Sequence, residues 1–452
     1  MRGTPRGIKR VGRLTTATSL PARRELTRGG ARASLRAVPG LLRRTTVAWT
    51  LYDFANSAFA AIVLATIYPA WYANGVVGNA DGRGDFWWGL AVSTAMVLVA
   101  LTSPLLGGVA DHAGVRKPFF VGFTAAAVTA TALMATVRPG MVLWGFVLGV
   151  AGIACFEAAF VYYNAYLPRI APPERRGRLS AAGFAVGYAG SLAAFAAAYP
   201  FAAVGAYAGC FLVAAAQFAL FALPAFVLLP PDAPAGLGLG AAMRRGLGDT
   251  LATLREIARA PERQALRRFL LAYWIYEDGV NTVVTFSSVF AARTLGFAFA
   301  ELILLFMVVQ VTALAGSAAW ARAIDTLGPK RVLTLTLAQW TAVTGLAWFV
   351  GSQAHFWGLA VLAGTGLGAV QAASRTLMAN LIPPGREAEL FGFYALVGKT
   401  GAVLGPMVFG GTSRLLGGDQ RAAIVAVGLF FVVGLLLLAR VRAGGPVPAA
   451  AR

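Results

Sequence analysis

The chain has 452 residues, 58% of them apolar and only 13% charged, with a mean hydropathy of +0.69. Soluble domains carry about a quarter charged residues, so this composition excludes an ordinary soluble protein. The net charge of +21 points toward nucleic acid only if it gathers on one surface, and its placement along the chain argues otherwise.

Residues 1–46 form an Arg-rich tail with twelve Lys and Arg and Glu25 as its one acid. It resembles a transit peptide or an anionic-lipid-binding segment; the plainer expectation is a disordered tail. Stretches free of Asp, Glu, Lys and Arg then run from Phe86 to Ala110, Pro118 to Val137, Leu302 to Ala321 and Ala422 to Ala439. Two longer ones, Leu179 to Pro231 and Val332 to Ser374, each hold two spans of roughly 20 residues. Alternating barrel patterning is absent, so helices must satisfy the backbone in lipid.

The expected fold is therefore an all-α membrane protein. Twelve transmembrane helices are placed at 47–74, 86–110, 118–137, 139–167, 179–200, 206–229, 268–292, 298–320, 330–350, 355–382, 390–413 and 421–440. The first and seventh contain acids and are less apolar than the rest. With this map, 32 of the 39 Lys and Arg lie on the side of the two termini and five on the other. The positive-inside rule puts both termini in the cytoplasm, which accounts for the basicity without nucleic acid. Cys155 and Cys210 fall in apolar spans, so no disulfide or thiolate metal site is expected.

The chain repeats itself. Asp111, Gly114, Arg116 and Lys117 lie in a tight loop after the second span; Asp325, Gly328, Lys330 and Arg331 follow the eighth, and the two Asp residues are 214 residues apart. Such a loop needs Gly, and its acid can hold basic residues against helix ends. Pro172-Pro173, Arg175, Leu179 and Val186-Gly187 recur 211 residues on as Pro383-Pro384, Arg386, Leu390 and Val397-Gly398, and Asp53 with Asn56 recur 225 residues on as Asp278 with Asn281. These echoes predict two pseudo-symmetric six-helix bundles, 47–229 and 268–441, with a short tail at 442–452. A linker at 230–267 joins them, where Leu247, Leu251, Leu254 and Ile257 have the spacing of an interfacial helix.

Two six-helix halves with Asp-Gly-basic loops resemble the major facilitator superfamily. Trp49, the run Tyr52-Asp53-Phe54-Ala55-Asn56-Ser57-Ala58-Phe59, Gln371, Ser374-Arg375, Ile382-Pro383-Pro384-Gly385-Arg386-Glu387-Ala388-Glu389 and Phe391-Gly392-Phe393-Tyr394 resemble the vacuole-effluxer family. These are the autophagy-related amino-acid efflux permeases and their bacterial relatives. The resemblance implies a bacterial cell-membrane transporter, a monomer, moving a small-molecule solute such as an amino acid by alternating access, with protons as a coupling partner. Uptake, or a multi-solute permease, is the alternative on the same fold.

Charges within hydrocarbon are costly and mark function. Those within the spans include Asp53, Glu157, Glu277, Asp278, Arg375 and Lys399, and in the superfamily the first, fourth, seventh and tenth helices line the cavity. Tyr52, Asp53 and Asn56 share a helix face, as do Glu277, Asp278 and Asn281, and Gln371 lies one turn before Arg375. Carboxylates with one guanidinium could hold a zwitterion or form a gate of ion pairs, and spacing leaves both readings open. Glu157 is the deepest and the strongest proton-site candidate; Lys399 reads as a counter-ion, and the Asp111 and Asp325 loops as hinges. No nucleotide-binding loop or hydrolytic cluster stands out, so no cofactor, metal or enzymatic activity is expected. A lipid-handling protein or membrane sensor is the alternative of another class.

Overall fold

Long apolar runs cut by Gly, Pro and clustered charge become helices, and the computed structural model places one at each of the twelve expected positions. It describes residues 39–78, 83–232, 241, 252–297, 299–400, 404–416 and 419–441, with no strand among them. Arg44–Arg452 form one compact unit and Met1–Arg43 a second, of which only the helical start at 39–43 is described. The rest of the basic tail, the tail at 442–452, and Leu247 and Leu251 of the expected linker helix lie outside the described residues.

The first six main helices are α1 (Pro39–Phe59), α2 (Arg83–Ala113), α3 (Arg116–Leu133), α4 (Val142–Ile170), α5 (Pro173–Ala203) and α6 (Tyr207–Leu228). The second six are α7 (Gln264–Leu295), α8 (Phe299–Thr326), α9 (Pro329–Leu346), α10 (Gln353–Leu381), α11 (Glu387–Thr400) and α12 (Gln420–Ala439). A further helix, Leu404–Leu415, continues the path of α11, and the linker is helical at 252–259.

Three spans differ from unbroken helices. Beyond α1 the chain passes through π-helical turns at Ala60–Ala65 and Tyr72–Val77, with a break at Thr66 (φ −134°, ψ −78°) ahead of Pro69. The segment α2 bends by 41° between Ser103 and Leu105, where the proline at 104 has no backbone N–H to donate to the preceding turn. The eleventh span is described as two helices. Among the described residues, ten helices are long and apolar enough to cross a membrane, and the bent α2 makes eleven. The remaining long helix, α7, carries Glu277 and Asp278 side by side, which lowers its hydropathy.

The pseudo-symmetry appears in the packing. In the first half α4 packs on α2 and α3, and α6 on α3 and α5; in the second α10 packs on α8 and α9, and α12 on α9 and Leu404–Leu415. The halves meet where α2 lies along α11 and α5 along α8. Small residues allow these approaches. Gly107 brings the α2 backbone against α11, where a Cβ would lie 2.5 Å from the Ala388 carbonyl oxygen, and Gly364 and Gly368 of α10 face Thr312 and Ser317 of α8. Outward-facing Leu101, Leu143, Leu220, Val227, Leu429 and Leu436 are exposed, as a lipid-facing surface requires.

Candidate functional site: a bolt of buried charge between two bundles

Arg375 on α10 is 2% exposed and crosses into the other half. Its Nε donates to Ser180 Oγ (2.9 Å), its Nη2 to the Ser180 carbonyl (2.7 Å) and, at 3.5 Å, to Asp53 Oδ2, and its Nη1 to Asn164 Oδ1 at 3.4 Å. The guanidinium carbon lies 4.8 Å from the Trp49 ring centre and 4.1 Å from that of Phe184, so cation–π attraction adds to the ion pair. Tyr163 donates to Asp53 Oδ2 (2.7 Å), stacks on Trp49 with centroids 4.5 Å apart, and accepts the Trp49 indole N–H on its carbonyl. Gly183 admits the arrangement, because a Cβ there would meet Asp53 Oδ2 and lie 2.9 Å from Arg375 Nη2. A charge removed from water needs this density of partners.

A second pair spans the halves. Lys399 Nζ of α11 lies 2.6 Å from Glu157 Oε1 of α4, and the lysine remains one-third exposed. Lys399 also acts electrostatically on Glu277. Glu277 Oε1 accepts from Gln371 Nε2 at 3.0 Å, while its Oε2 is buried with no hydrogen-bond partner. A half-satisfied buried carboxylate is costly, and it marks a place where a proton or a donor group can bind.

The third layer closes the end formed by the α2–α3, α4–α5, α8–α9 and α10–α11 connections, called the basic end below. Asp111 accepts from the backbone N–H of Ala388 (3.3 Å) and Glu389 (3.0 Å) at the start of α11. Asp325 accepts from Arg178 N–H (3.0 Å) and interacts with that of Gly177 at the start of α5. Ala388 and Glu389 are the 211-residue echoes of Gly177 and Arg178, so each half's loop carboxylate holds the same two amides of the other half. Helix N-termini favour negative charge. Arg116 bridges Asp111 and Glu387 (3.1 Å to Glu387 Oε2), whereas Arg178 supports Asp325 from a largely exposed position. Gly114 (φ 65°) and Gly328 (φ 87°) make the turns. Lys117 caps the Leu229 carbonyl (2.7 Å) and Lys330 that of Val441 (2.6 Å), so each lysine holds the last helix of its own half. Arg331 is exposed at the start of α9.

The sequence matches the profile of the family described as "Vacuole effluxer Atg22 like" over residues 89–444. The chain belongs to this family. It is 30% identical, over 86% of its length and 93% of the relative's, to the uncharacterized MFS-type transporter YxiO of Bacillus subtilis. It is 23% identical to autophagy-related protein 22 of Coccidioides immitis, covering 75% of this chain and 69% of that one. In three dimensions it resembles the human organic anion transporter MFSD10 (TM-score 0.69, 18% identity, 88% of this chain and 98% of that one). It also resembles the proton:xylose symporter XylE (TM-score 0.66, 13% identity, 88% and 94%). The fold is that of the major facilitator superfamily, and the chain is a multi-pass membrane protein of a transporter family.

Within this effluxer-family fold the candidates divide into groups. Asp53, Arg375 and Asn56 come together, Asn56 beside Asp53; Glu157 joins Lys399 and Glu277 joins Gln371. Tyr52 turns to Thr124 of α3 (2.8 Å). Asp278 stands apart from its expected partners. It accepts the Gly405 N–H at 2.9 Å and so holds the start of Leu404–Leu415, and no described hydrogen bond or ion pair joins it to Asn281. Residues missed by spacing alone are Asn164, Ser180, Tyr163 and Arg176. Arg176 of α5 donates to Asn380 Oδ1 (2.9 Å) and the Ala379 carbonyl (3.0 Å) of α10, a third cross-half contact at the basic end. The 211-residue echo was the available signal for Asn164, which is the counterpart of Arg375.

Proposed function

We propose that this chain is a secondary transporter with twelve spans in two rocking halves (47–229 and 268–441), exporting an amino acid or related metabolite by alternating access. The basic end, with both termini, faces the cytoplasm. Arg375, the Asp111 and Asp325 latches and Arg176 form its gate, which is closed in this conformation. The observation that carries the reading is Arg375, whose donors already engage groups of the opposite half, leaving Lys399, Glu157 and Glu277 as the groups to meet a solute or proton. Opening the gate must break each cross-half contact and rehydrate the charges, so the two access states exchange by a switch between defined packings. Glu157 carries the coupling proton, and its pairing with Lys399 across the halves supports coupling of protonation to rocking. Export rests on the family's description as effluxers, the amino-acid class on the resemblance to the amino-acid efflux permeases, and proton coupling is a property that XylE has by its description.

The test is transport in everted membrane vesicles incubated in a metabolite mixture, with their contents read by mass spectrometry. Amino acids should accumulate inside the vesicles when a pH gradient is applied and not in vesicles lacking the protein. Gradient-independent equilibration would remove the proton coupling, and accumulation only in right-side-out vesicles would reverse the direction.

A further inference from the structure

At the basic end, outside the central charges, lies a cavity of about 340 Å³. Three parts of the chain wall it: Asp111 and His112 at the end of α2, Thr253 and Glu256 of the linker helix, and Arg386 and Glu389 at the start of α11. Arg386 spends its donors on its surroundings. Its Nε reaches Glu389 Oε2 (2.9 Å), its Nη1 Glu256 Oε2 (2.7 Å), and its Nη2 Thr253 Oγ1. Asp111 uses both oxygens, on Arg116 and on the α11 amides. Glu389 is 2% exposed, and its Oε1 is buried with no hydrogen-bond partner.

Three carboxylates and one spent guanidinium thus line the wall, and one of these carboxylates, Glu389, keeps a buried acceptor unused. A metal ion would need several free oxygens, and no group of three candidate ligands that could hold one occurs among the described residues. One free acceptor in an acidic wall suits a positive group that brings its own N–H. We propose that this cavity binds a small organic ammonium ion, held by Glu389 Oε1 and the surrounding carboxylates, as a regulatory site separate from the transport path. Because its wall comes from both halves and the linker, the cavity is complete only while the basic end is closed. A ligand that binds one state alone shifts the balance toward that state, so the ammonium ion holds the carrier shut on this side. The inference rests on the two-state reading above for its effect, but not for the binding itself.

The full chain in lipid nanodiscs is titrated with methylammonium and putrescine, with tetramethylammonium and potassium as controls, by calorimetry and thermal unfolding. Saturable binding and a raised unfolding midpoint are expected for the first two and not for the controls, which carry charge without N–H donors. Glu389→Gln should weaken binding at least tenfold. Ala252→Phe, at a further lining position, fills the cavity without altering a charge and should do the same, while Glu277→Gln in the central site should leave binding intact. Equal binding of tetramethylammonium, no saturable amine binding, or binding retained in both Glu389→Gln and Ala252→Phe would overturn the proposal. Binding without any effect on transport rate would leave the site standing and remove its regulatory role.

Discussion

Arg375 and Asn164 are 211 residues apart, the offset that relates Pro172 to Pro383, and they touch one another at 3.4 Å across the two halves. Counterparts in a repeat meet only near the axis that relates them. A cation has appeared on one side of that axis and a carboxamide on the other, so the seam is closed by a donor and an acceptor. With Asp53 beside them, the repeat's divergence creates a cross-half ion pair at this seam.

If Arg375 is a gate residue, Arg375→Lys keeps the charge and loses the forked geometry that reaches Ser180, Asn164 and Asp53 together. Solute affinity should stay within about twofold, while the basic end opens at least tenfold more often, about 1.4 kcal/mol. Equilibrium binding to the purified variant decides, because a substrate-binding arginine would instead lose affinity.

Gly183→Ala tests the same seam without altering charge. The added methyl would crowd Asp53 and Arg375, and overpacking costs about 1–3 kcal/mol. The unfolding midpoint should fall and the gate loosen. Gly358→Ala, at a position with nothing within 4 Å of the added Cβ, should leave both unchanged.

The linker attachment has a defined acid limit. The Arg386 hydrogen bond holds the Glu256 carboxyl below its ordinary value of 4.5. A depressed folded value gives stability that is complete above the unfolded value and lost as pH falls through the folded one. The 252–259 helix should therefore stay attached through neutral pH and release only below about pH 4.5. The protection factor of this segment, with the pH dependence of the intrinsic exchange rate removed, should be constant from pH 7 to pH 5 and fall as the pH is lowered beyond that, while Glu256→Gln should show no such fall.

Replacing Glu157 by Gln keeps size and hydrogen bonding but removes titration. Transport driven by a pH gradient should be abolished and counterflow exchange preserved, since Lys399, one-third exposed, can be solvated without its partner. Normal gradient-driven transport by this variant would place the proton elsewhere, with Glu277 the next candidate.

Much of the architecture was legible from local pattern. Uncharged runs located the helices, and Gly114 and Gly328 sit at positive φ where the repeat placed its turns. Pairing was not legible, because it depends on distances through space. Asp53 and Asp278 are echoes in sequence, yet one meets Tyr163 and Arg375 while the other holds the Gly405 amide. Arg176 reads as one more basic residue in a cytoplasmic loop and is instead bound to the end of α10. Hydropathy also could not see the bend at Pro104 or the π-helical turns beyond α1, since both leave apolar content unchanged.

In the proposed cycle the two loop carboxylates latch one end of a two-state carrier. The most direct test places spin labels at Glu174 and Leu327 across the basic end, and at Tyr199 and Phe349 across the other, with Cys155 and Cys210 changed to Ala. Distances are then measured by double electron–electron resonance with and without Asp111→Asn plus Asp325→Asn. Each lost carboxylate weakens charge-assisted hydrogen bonds worth about 1.5–3 kcal/mol. With both carboxylates replaced, distances should shift to longer values at the basic end and, in the same sample, to shorter ones at the opposite end. Unchanged distributions at both ends, or lengthening at both, would contradict the latch.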